Sequence, residues 1–341
     1  MNRELYRKEI EAFDFDLSPL EGKSLLISGA TGMIASYLID CIMLKGVDCK
    51  IIALGRNEEK ARERFGEYFR RPNFSFCACD INQPIPVKEK TDYIIHAASN
   101  THPLAYATDP IGTISANVIG LRNLLDYACE NENKRFLFLS SVEVYGENCG
   151  DVEAFSEEYC GYINSNTLRA GYPESKRVGE ALCQAYIRQK GLDIVIPRLA
   201  RVFGPTLLAT DTKALSQFLH KALAGENIVL KSAGTQYYSY LYVADVVTGI
   251  LTCLFNGING EAYNVADKDC NVTLKDLAQS IATTAGTKVV FEIPDETESA
   301  GYSTATKAVL DATKLKNLGW FAKTGIQEGI ERTLAILSPQ G

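Results

Sequence analysis

Six short apolar runs in the first 200 residues constrain the fold of this chain more than any other feature. Each is about five residues long, which is typical of strands buried on both faces of a parallel sheet. Helical patterns lie between most of them; across residues 113–130, for example, apolar side chains recur at three- and four-residue steps. This alternation predicts an α/β fold with a doubly wound parallel sheet and right-handed crossovers. The runs lie at residues 25–28, 50–54, 74–78, 93–97, 135–139 and 194–199.

The first apolar run leads directly into a glycine-rich turn and then into a helix. The turn has the spacing G-x-x-G-x-x-A, from Gly29 to Ala35. Gly29 permits a tight turn, and Gly32 lets the backbone approach a pyrophosphate. Amides at the start of the following helix bind phosphate. The position of this turn after the first strand predicts a Rossmann-like dinucleotide site, with contacts from Gly29, Thr31, Gly32, Met33 and Ile34.

The strand–helix pattern changes after about residue 200. Helical segments there are separated by short strands, which indicates a smaller mixed α/β lobe. We therefore expect an N-terminal extension over residues 1–22, a dinucleotide-binding domain over 23–200, and a mainly substrate-binding lobe over 201–341. Ligands are expected at the carboxyl ends of the strands of the larger domain.

The end of the second predicted strand indicates which dinucleotide is bound. No acidic residue precedes Arg56 there, although an acidic residue normally reads the ribose 2′-hydroxyl of NAD. A guanidinium at this position can hold a 2′-phosphate with two hydrogen bonds, which favours NADP(H) over NAD(H). The alternative for Arg56 is a solvated surface residue without a ligand. The alternative for Asp80, a second candidate for cofactor contact, is a cap of the turn after the third strand. Further cofactor contacts are expected after the third and fourth strands, from Asp80, Ile81, Ala97, Ala98 and Ser99.

A second motif, Tyr172-Pro-Glu-Ser-Lys176, opens a predicted helix. The spacing of four places Tyr172 and Lys176 on one helical face. A free phenol has a pKa of about 10 and is a poor acid–base catalyst at neutral pH. A nearby ammonium and a positive nicotinamide ring favour the phenolate. Ser141 follows the fifth strand, where its hydroxyl can polarise a substrate oxygen, and Asn117 can orient Lys176 through a water.

With these motifs in place, residues from about 23 to 338 resemble the extended short-chain dehydrogenases that modify nucleotide-linked sugars. That NAD(P)-dependent family includes epimerases, 4,6-dehydratases, decarboxylases and ketoreductases. The resemblance implies that Ser141, Tyr172 and Lys176 are the catalytic triad and that Asn117 supports them. The block from 169 to 177 is most similar to UDP-glucuronate decarboxylases. The matching segments are GATGMIA, HAAS, NVIGLRNLL, SSVEVYG, RAGYPESKR, RLARVFGP, YVADVV and LGW.

One departure from the family pattern follows the active-site serine. Dehydratases of the family carry Asp-Glu there, whereas this chain has Val142-Glu143. Val142 cannot protonate a leaving hydroxyl, which argues against dehydration. Glu143 keeps a decarboxylase-like or epimerase-like catalytic site open, and the alternative for it is a solvated or paired loop carboxylate.

The expected substrate pocket departs from the family as well. Arg201 stands where the family has an Asn that contacts the substrate diphosphate, and Tyr238 stands where it has an Arg. One interpretation is that the positive charge of the pocket, lost at Tyr238, is supplied from the opposite wall by Arg201. The alternative is that Arg201 pairs with a carboxylate of the protein. His102, Gln217 and Lys307 are further candidates for substrate contact.

Charge and cysteine usage exclude other classes. The formal net charge is −7 with no stripe of Lys and Arg, so nucleic acid is not an expected partner. The ten cysteines lack zinc-ligand spacing, so we expect no metal and free thiols in a reducing compartment. No signal peptide or membrane span is expected, because the apolar stretch at 25–44 contains glycines and Asp40. These features predict a cytoplasmic protein.

Together the motifs predict an NADP(H)-dependent oxidoreductase acting on a nucleotide-activated sugar. Because a net reductase usually draws on NADPH, the main expectation is reduction of a keto group, such as a CDP-linked ketose to a polyol for surface polysaccharide. The alternative is an epimerase or decarboxylase with recycled NAD(P). A non-catalytic NADP-binding regulator is the third hypothesis, which the intact Ser141, Tyr172 and Lys176 set disfavours.

A homodimer is expected from the helices at 113–130 and 172–190. Both carry more apolar residues than the one helical face that packs on the sheet requires, including Leu124, Cys183 and Ile187. The family resemblance implies that these helices pair across a two-fold axis into a four-helix bundle.

Overall fold

The computed structural model describes residues 1–101, 103–292 and 306–338. Its strands, numbered along the chain, are β1 Lys23–Ser28, β2 Cys49–Gly55, β3 Phe74–Ala78, β4 Tyr93–His96, β5 Arg135–Phe138, β6 Ser140–Ser141, β7 Ile194–Leu199, β8 Arg201–Phe203, β9 Ile228–Leu230, β10 Tyr237–Tyr242, β11 Ala262–Val265, β12 Asn271–Thr273, β13 Val289–Phe291 and β14 Lys307–Ala308. Its α-helices are α1 Arg3–Glu11, α2 Met33–Leu44, α3 Glu58–Phe65, α4 Pro103–Thr108, α5 Pro110–Ser115, α6 Leu121–Glu130, α7 Gly171–Lys190, α8 Ala214–Leu223, α9 Val243–Asn256, α10 Leu274–Ala285, α11 Thr313–Lys316 and α12 Ile326–Leu337.

The large sheet has the strand order β11-β7-β5-β4-β1-β2-β3, and β6 pairs with β7. All of these pairings are parallel. Both faces of β1 are buried: Leu25 and Ile27 join one core with α2 and α9, whereas Leu26 joins a second core with α6. Burial on both faces explains the continuous apolar runs of the sequence. The structure therefore confirms the predicted Rossmann-like, doubly wound sheet.

The smaller lobe is built around a four-stranded mixed sheet. β10 lies at its centre, antiparallel to β12 and parallel to β14 and β8. A separate parallel pair joins β9 and β13. The chain returns from this lobe to the large sheet, because α9 packs on α2 and β11 pairs with β7. The predicted domain boundary at residue 200 thus stays a proposal. Residues 243–265, which come after that boundary, pack on the large sheet and its helices.

The N-terminal helix α1 is tied into the fold by buried polar contacts. Asp40 on α2 accepts hydrogen bonds from the hydroxyls of Tyr6 and Tyr68 and pairs with the guanidinium of Arg64. Glu9 on α1 accepts from Tyr242 at the end of β10. The extension therefore bridges both lobes. No helix within the described ranges combines the length and apolar character needed to cross a bilayer.

Candidate active site and cofactor site

The first turn of α7 brings the predicted acid–base pair to the end of β6. Tyr172 is 6% exposed and Lys176 is 4% exposed. Ser141, at the last position of β6, lies close enough to the hydroxyl of Tyr172 to lower its pKa. Lys176 donates from Nζ to the carbonyl of Leu139 at 2.7 Å. The structure thus brings the three predicted catalytic residues together, and their roles remain proposals.

Burial sets the protonation of this pair. It raises the pKa of Tyr172 to about 12, and the hydrogen bond from Ser141 opposes that rise. Burial also lowers the pKa of Lys176 to about 7, which the negative charge of Glu180 opposes. Without a ligand, Tyr172 is therefore a neutral phenol near pH 7 while Lys176 is partly deprotonated. A bound oxidised nicotinamide would accept hydride here and supply the positive charge that favours the phenolate.

Asn117 supports the same helical turn from a different element. It lies in a π-helical turn, Ala116–Gly120, between α5 and α6, and such turns often occur at functional sites. Its Nδ2 donates to Ser175 Oγ at 2.9 Å, and Ser175 Oγ donates to the carbonyl of Tyr172 at 2.8 Å. The contact in the structure is therefore with the first turn of α7, while the predicted water-mediated contact with Lys176 remains a proposal.

A cation–aromatic stack covers the phenol of Tyr172. The rings of Tyr106 and Tyr172 stack with centroids 5.0 Å apart. The guanidinium of Arg169 lies 5.2 Å from the Tyr106 centroid and pairs with Glu143 at 2.9 Å. Glu143 is thus next to the proposed catalytic centre, and its carboxylate is paired with Arg169, which was the alternative to a catalytic role. Sequence reasoning missed Tyr106, because α4 carries no motif; Arg169 lay inside a matching block without an assigned role.

A buried ion pair fixes the strand that carries Ser141. Glu180, one turn beyond Lys176 on α7, pairs with Arg198 on β7 at 2.6 Å. Glu180 also accepts a hydrogen bond from Ser140 Oγ at 2.6 Å. The same carboxylate therefore contacts β6 and β7 and lies close enough to Lys176 to influence its charge. The sequence does contain a signal for Glu180: it lies four residues after Lys176, just as Lys176 lies four residues after Tyr172, so the three share one helical face.

The glycine turn has the geometry that the dinucleotide site requires. Gly29 has φ +68°, and a Cβ there would lie 2.7 Å from the backbone of Ala98. Only glycine therefore allows the turn to pack against the loop after β4. Ser28 Oγ holds that loop by accepting from the amides of Ala97 and Ala98 at 3.2 and 3.3 Å. Gly32 is the N-cap residue of α2, and no side chain caps this helix.

The uncapped amides at the start of α2 fit a pyrophosphate, because they otherwise lack acceptors within the helix. The carbonyl of Met33 accepts from Thr206 Oγ1 at 2.9 Å, which places the second lobe beside the turn. Arg56 is exposed after β2. The Oδ1 atom of Asp80 accepts from the amide of Asn82 at 3.0 Å, which is the turn-cap role. The residues present therefore fit a dinucleotide.

Replacing Arg56 with alanine is expected to weaken NADP(H) selectively. The loss of a charge-assisted contact with a 2′-phosphate should cost about 1.5–3 kcal/mol, or roughly ten- to a hundredfold in affinity. Fluorescence titration of NADPH and NADH into wild type and Arg56→Ala measures both affinities. NADH affinity should not change, and equal affinities of the wild type for the two cofactors would contradict the prediction.

The predicted substrate contacts are not all at one place. Arg201 and Tyr238 meet on neighbouring strands, with Arg201 Cζ 3.5 Å from the ring centroid of Tyr238. Lys307 on β14 pairs with Glu153 at 2.6 Å. Gln217 is exposed on α8 and donates to the carbonyl of Thr212 at 2.7 Å, so it contacts its own helix start. His102 lies outside the described residues.

Comparison with known proteins agrees with this geometry. The sequence model of the NAD dependent epimerase/dehydratase family matches residues 25–266, which is more than half of the chain. The chain belongs to this family. Membership confirms the resemblance to this family that the sequence showed, and two related decarboxylases confirm the similarity to UDP-glucuronate decarboxylases.

Individual members of the epimerase/dehydratase family extend the match over most of the chain. UDP-glucuronic acid decarboxylase 1 of Xenopus tropicalis is 31% identical over 321 residues, 93% of this chain and 73% of the relative. UDP-glucuronic acid decarboxylase 5 of Arabidopsis thaliana is 30% identical over 307 residues, 90% and 86% of the two chains. A UDP-glucose 4-epimerase structure from Thermotoga maritima has a TM-score of 0.80 at 24% identity, covering 92% and 98% of the two chains. At that identity it confirms the fold alone.

The protein is therefore an NAD(P)-dependent enzyme of the extended short-chain dehydrogenase/reductase type, in a family that modifies nucleotide-linked sugars. The expectation of an enzyme rather than a regulator is confirmed. The expectation of net keto reduction receives no support from these relatives, because their names, decarboxylase and epimerase, correspond to the alternative reactions.

Proposed function

We propose that the protein decarboxylates a nucleotide-linked uronic acid, with its cofactor regenerated within each catalytic cycle. The observation that carries the proposal is that Ser141 lies beside the buried Tyr172 and Lys176, with Glu143 retained next to them. The decarboxylase relatives, which match over at least 90% of the chain, support this choice of reaction. An epimerase with the same internal return of hydride is the nearest alternative.

The chemistry follows from what each side chain can do. Tyr172 takes the proton from a sugar hydroxyl as hydrogen leaves the same carbon as hydride, and Ser141 donates a hydrogen bond to the developing carbonyl. A ketone formed β to the sugar carboxylate makes loss of carbon dioxide favourable, because the electron pair of the broken carbon–carbon bond is taken up as an enolate. A proton from water then adds to the carbon that lost the carboxylate and restores the ketone. Tyr172 then returns the proton as the ketone is reduced. Lys176 provides positive charge that favours the phenolate during the first step.

Two finer properties belong to the same proposal. We infer NADP(H) as the preferred cofactor from Arg56, which is exposed at the tip of β2, although the family description names NAD. We infer a cytoplasmic location from the cysteines, because all ten lie within the described residues and none forms a disulfide.

The reaction is tested with UDP-glucuronic acid and purified enzyme, with and without added cofactor. Mass spectrometry follows loss of carbon dioxide from the sugar, and the reduced-nicotinamide absorbance follows net redox change. Product without net absorbance change supports the proposal. Epimerised uronic acid without carbon dioxide loss would replace decarboxylation with epimerisation. Stoichiometric NADPH consumption with a keto-sugar nucleotide, and no reaction of the uronate, would restore net reduction.

We also propose a homodimer, on a different set of residues from those named in the sequence. Leu124 and Cys183 are fully buried inside one chain, so they belong to the second core and cannot form an interface, and Ile187 is partly buried against the same core. Four other apolar residues on α5, the π-helical turn and α7 are exposed: Ile111, Ile114, Ile119 and Val178. Apolar side chains that are exposed together on adjacent helices are typical of an interface.

The dimer is predicted to dissociate when charge is placed on this surface. Light scattering of wild type should give twice the mass of one chain at micromolar concentration. Val178→Glu should shift the mass towards one chain, because the symmetry of an isologous interface buries the added charge twice, once from each copy. A monomeric wild type would contradict the proposal.

A further inference from the structure

Arg201 lacks the partners that other partly buried arginines of the described residues have: Arg71 and Arg177 donate to backbone carbonyls, and three more arginines form ion pairs. Arg64, Arg135 and Arg198 each pair with a carboxylate, at Asp40, Asp193 and Glu180 respectively. Arg201 has no carboxylate within ion-pair distance in the part of the chain that the structure describes. Its Nη1 atom is buried and has no hydrogen-bond partner there.

The guanidinium of Arg201 is held by aromatic stacking instead. Its Cζ lies 3.5 Å from the centroid of the Tyr238 ring. Tyr240, the register partner of Arg201 on β10, lies beside Tyr238 with the two centroids 6.4 Å apart. A cation on a ring face keeps its in-plane donors available, because the ring satisfies the charge without accepting conventional hydrogen bonds.

The position of Arg201 places it near the proposed catalytic centre. Ser141 pairs in register with Leu199 at the end of β7. Arg201 begins β8 only two residues later, which is roughly 7 Å of extended chain. β7 pairs with Ser141, the proposed catalytic serine, and the chain continues from β7 directly into β8. The guanidinium of Arg201 is therefore on the segment that follows the neighbour of Ser141.

A buried donor without an acceptor is costly, and such groups are rare outside sites where a ligand completes them. A fork of guanidinium donors matches the oxygen pairs of carboxylate and phosphate groups. We propose that Arg201, stacked on Tyr238, binds an oxyanion of the substrate. This inference rests on the proposed function, since the substrate is taken to be a nucleotide-linked sugar. The oxyanion is either the diphosphate or the carboxylate of the sugar.

Calorimetric binding separates these two sources without requiring turnover. UDP-glucose, UDP-glucuronic acid and uridine are titrated into wild type, Arg201→Met and Arg201→Lys. Arg201→Met should weaken the nucleotide sugars by about ten- to a hundredfold and leave uridine unchanged. Arg201→Lys should recover only part of the affinity, because an ammonium cannot form the bidentate contact.

The pattern of loss identifies the oxyanion. Equal losses for UDP-glucose and UDP-glucuronic acid assign the diphosphate, whereas a loss confined to UDP-glucuronic acid assigns the carboxylate. Arg188→Met, at an exposed arginine of α7, is the matched control and should bind like wild type. Tyr238→Leu removes the ring and should weaken the same ligands as Arg201→Met. Melting curves verify that each variant is folded.

The outcomes also separate this inference from the proposed function. Wild-type affinity in Arg201→Met, within about twofold, would overturn the role of Arg201 while leaving the reaction open. Selective loss of binding in Arg201→Met, with no turnover of any bound sugar by wild type, would support Arg201 and reject the proposed reaction. Failure of wild type to bind either UDP sugar would overturn both.

Discussion

Tyr172→Phe is expected to remain folded and to bind cofactor, while turnover falls by about a hundredfold or more, the usual contribution of a positioned acid–base group. The substitution removes only the hydroxyl, whose pKa Ser141 lowers. The ring that stacks on Tyr106 at 5.0 Å is retained, so the packing around it should persist. The effect should appear in kcat more than in KM, because proton transfer belongs to the chemical step.

Single-turnover measurements on wild type and Tyr172→Phe measure this effect directly. Tyr186→Phe is the matched control, because Tyr186 lies on the same helix and its hydroxyl bonds with Asp126, on α6. The control should change stability only slightly and leave turnover near the wild-type value. Unchanged turnover in Tyr172→Phe would mean that another group carries the proton, and Glu143 would be examined next.

The large sheet could be predicted from sequence because its strands have a strong local signature. Leu25, Leu26 and Ile27 are all apolar since one core covers each face of β1. Gly29 could be assigned for a similar reason, because only glycine tolerates the positive φ and the close approach of Ala98. Such local requirements are visible in a single chain.

Contacts between distant segments left no such signature. Tyr106 reaches Tyr172 only because α4 folds against the turn Leu168–Ala170, which directly precedes α7. Leu124 and Cys183 looked like surplus apolar residues, but α6 and α7 bury them against the same sheet face. The pairing of Arg201 with a tyrosine ring rather than a carboxylate depends on the register between β8 and β10. None of these arrangements follows from spacing along the chain.

Lys176→Met is the second prediction with a large effect, because the same change should strongly lower turnover and stabilise the fold. Burial lowers the pKa of Lys176 from its ordinary value of 10.5 to about 7. Methionine has a similar length and carries no charge to desolvate. The variant loses the hydrogen bond to the Leu139 carbonyl, which offsets part of the gain. We expect roughly 1–3 kcal/mol of added stability at pH 7 and a loss of turnover of about a hundredfold or more.

The pH dependence distinguishes this cause from better packing. Because the folded protein holds the Lys176 proton less tightly than the unfolded chain, it binds fewer protons between pH 7 and 10.5. Stability from this group therefore rises with pH across that window, and the full cost of burying the charge is present below it. The stability difference between Lys176→Met and wild type should thus be largest at pH 7 or below and shrink towards pH 10. Denaturant unfolding at several pH values measures it, and a difference independent of pH would show that the buried charge is not its source.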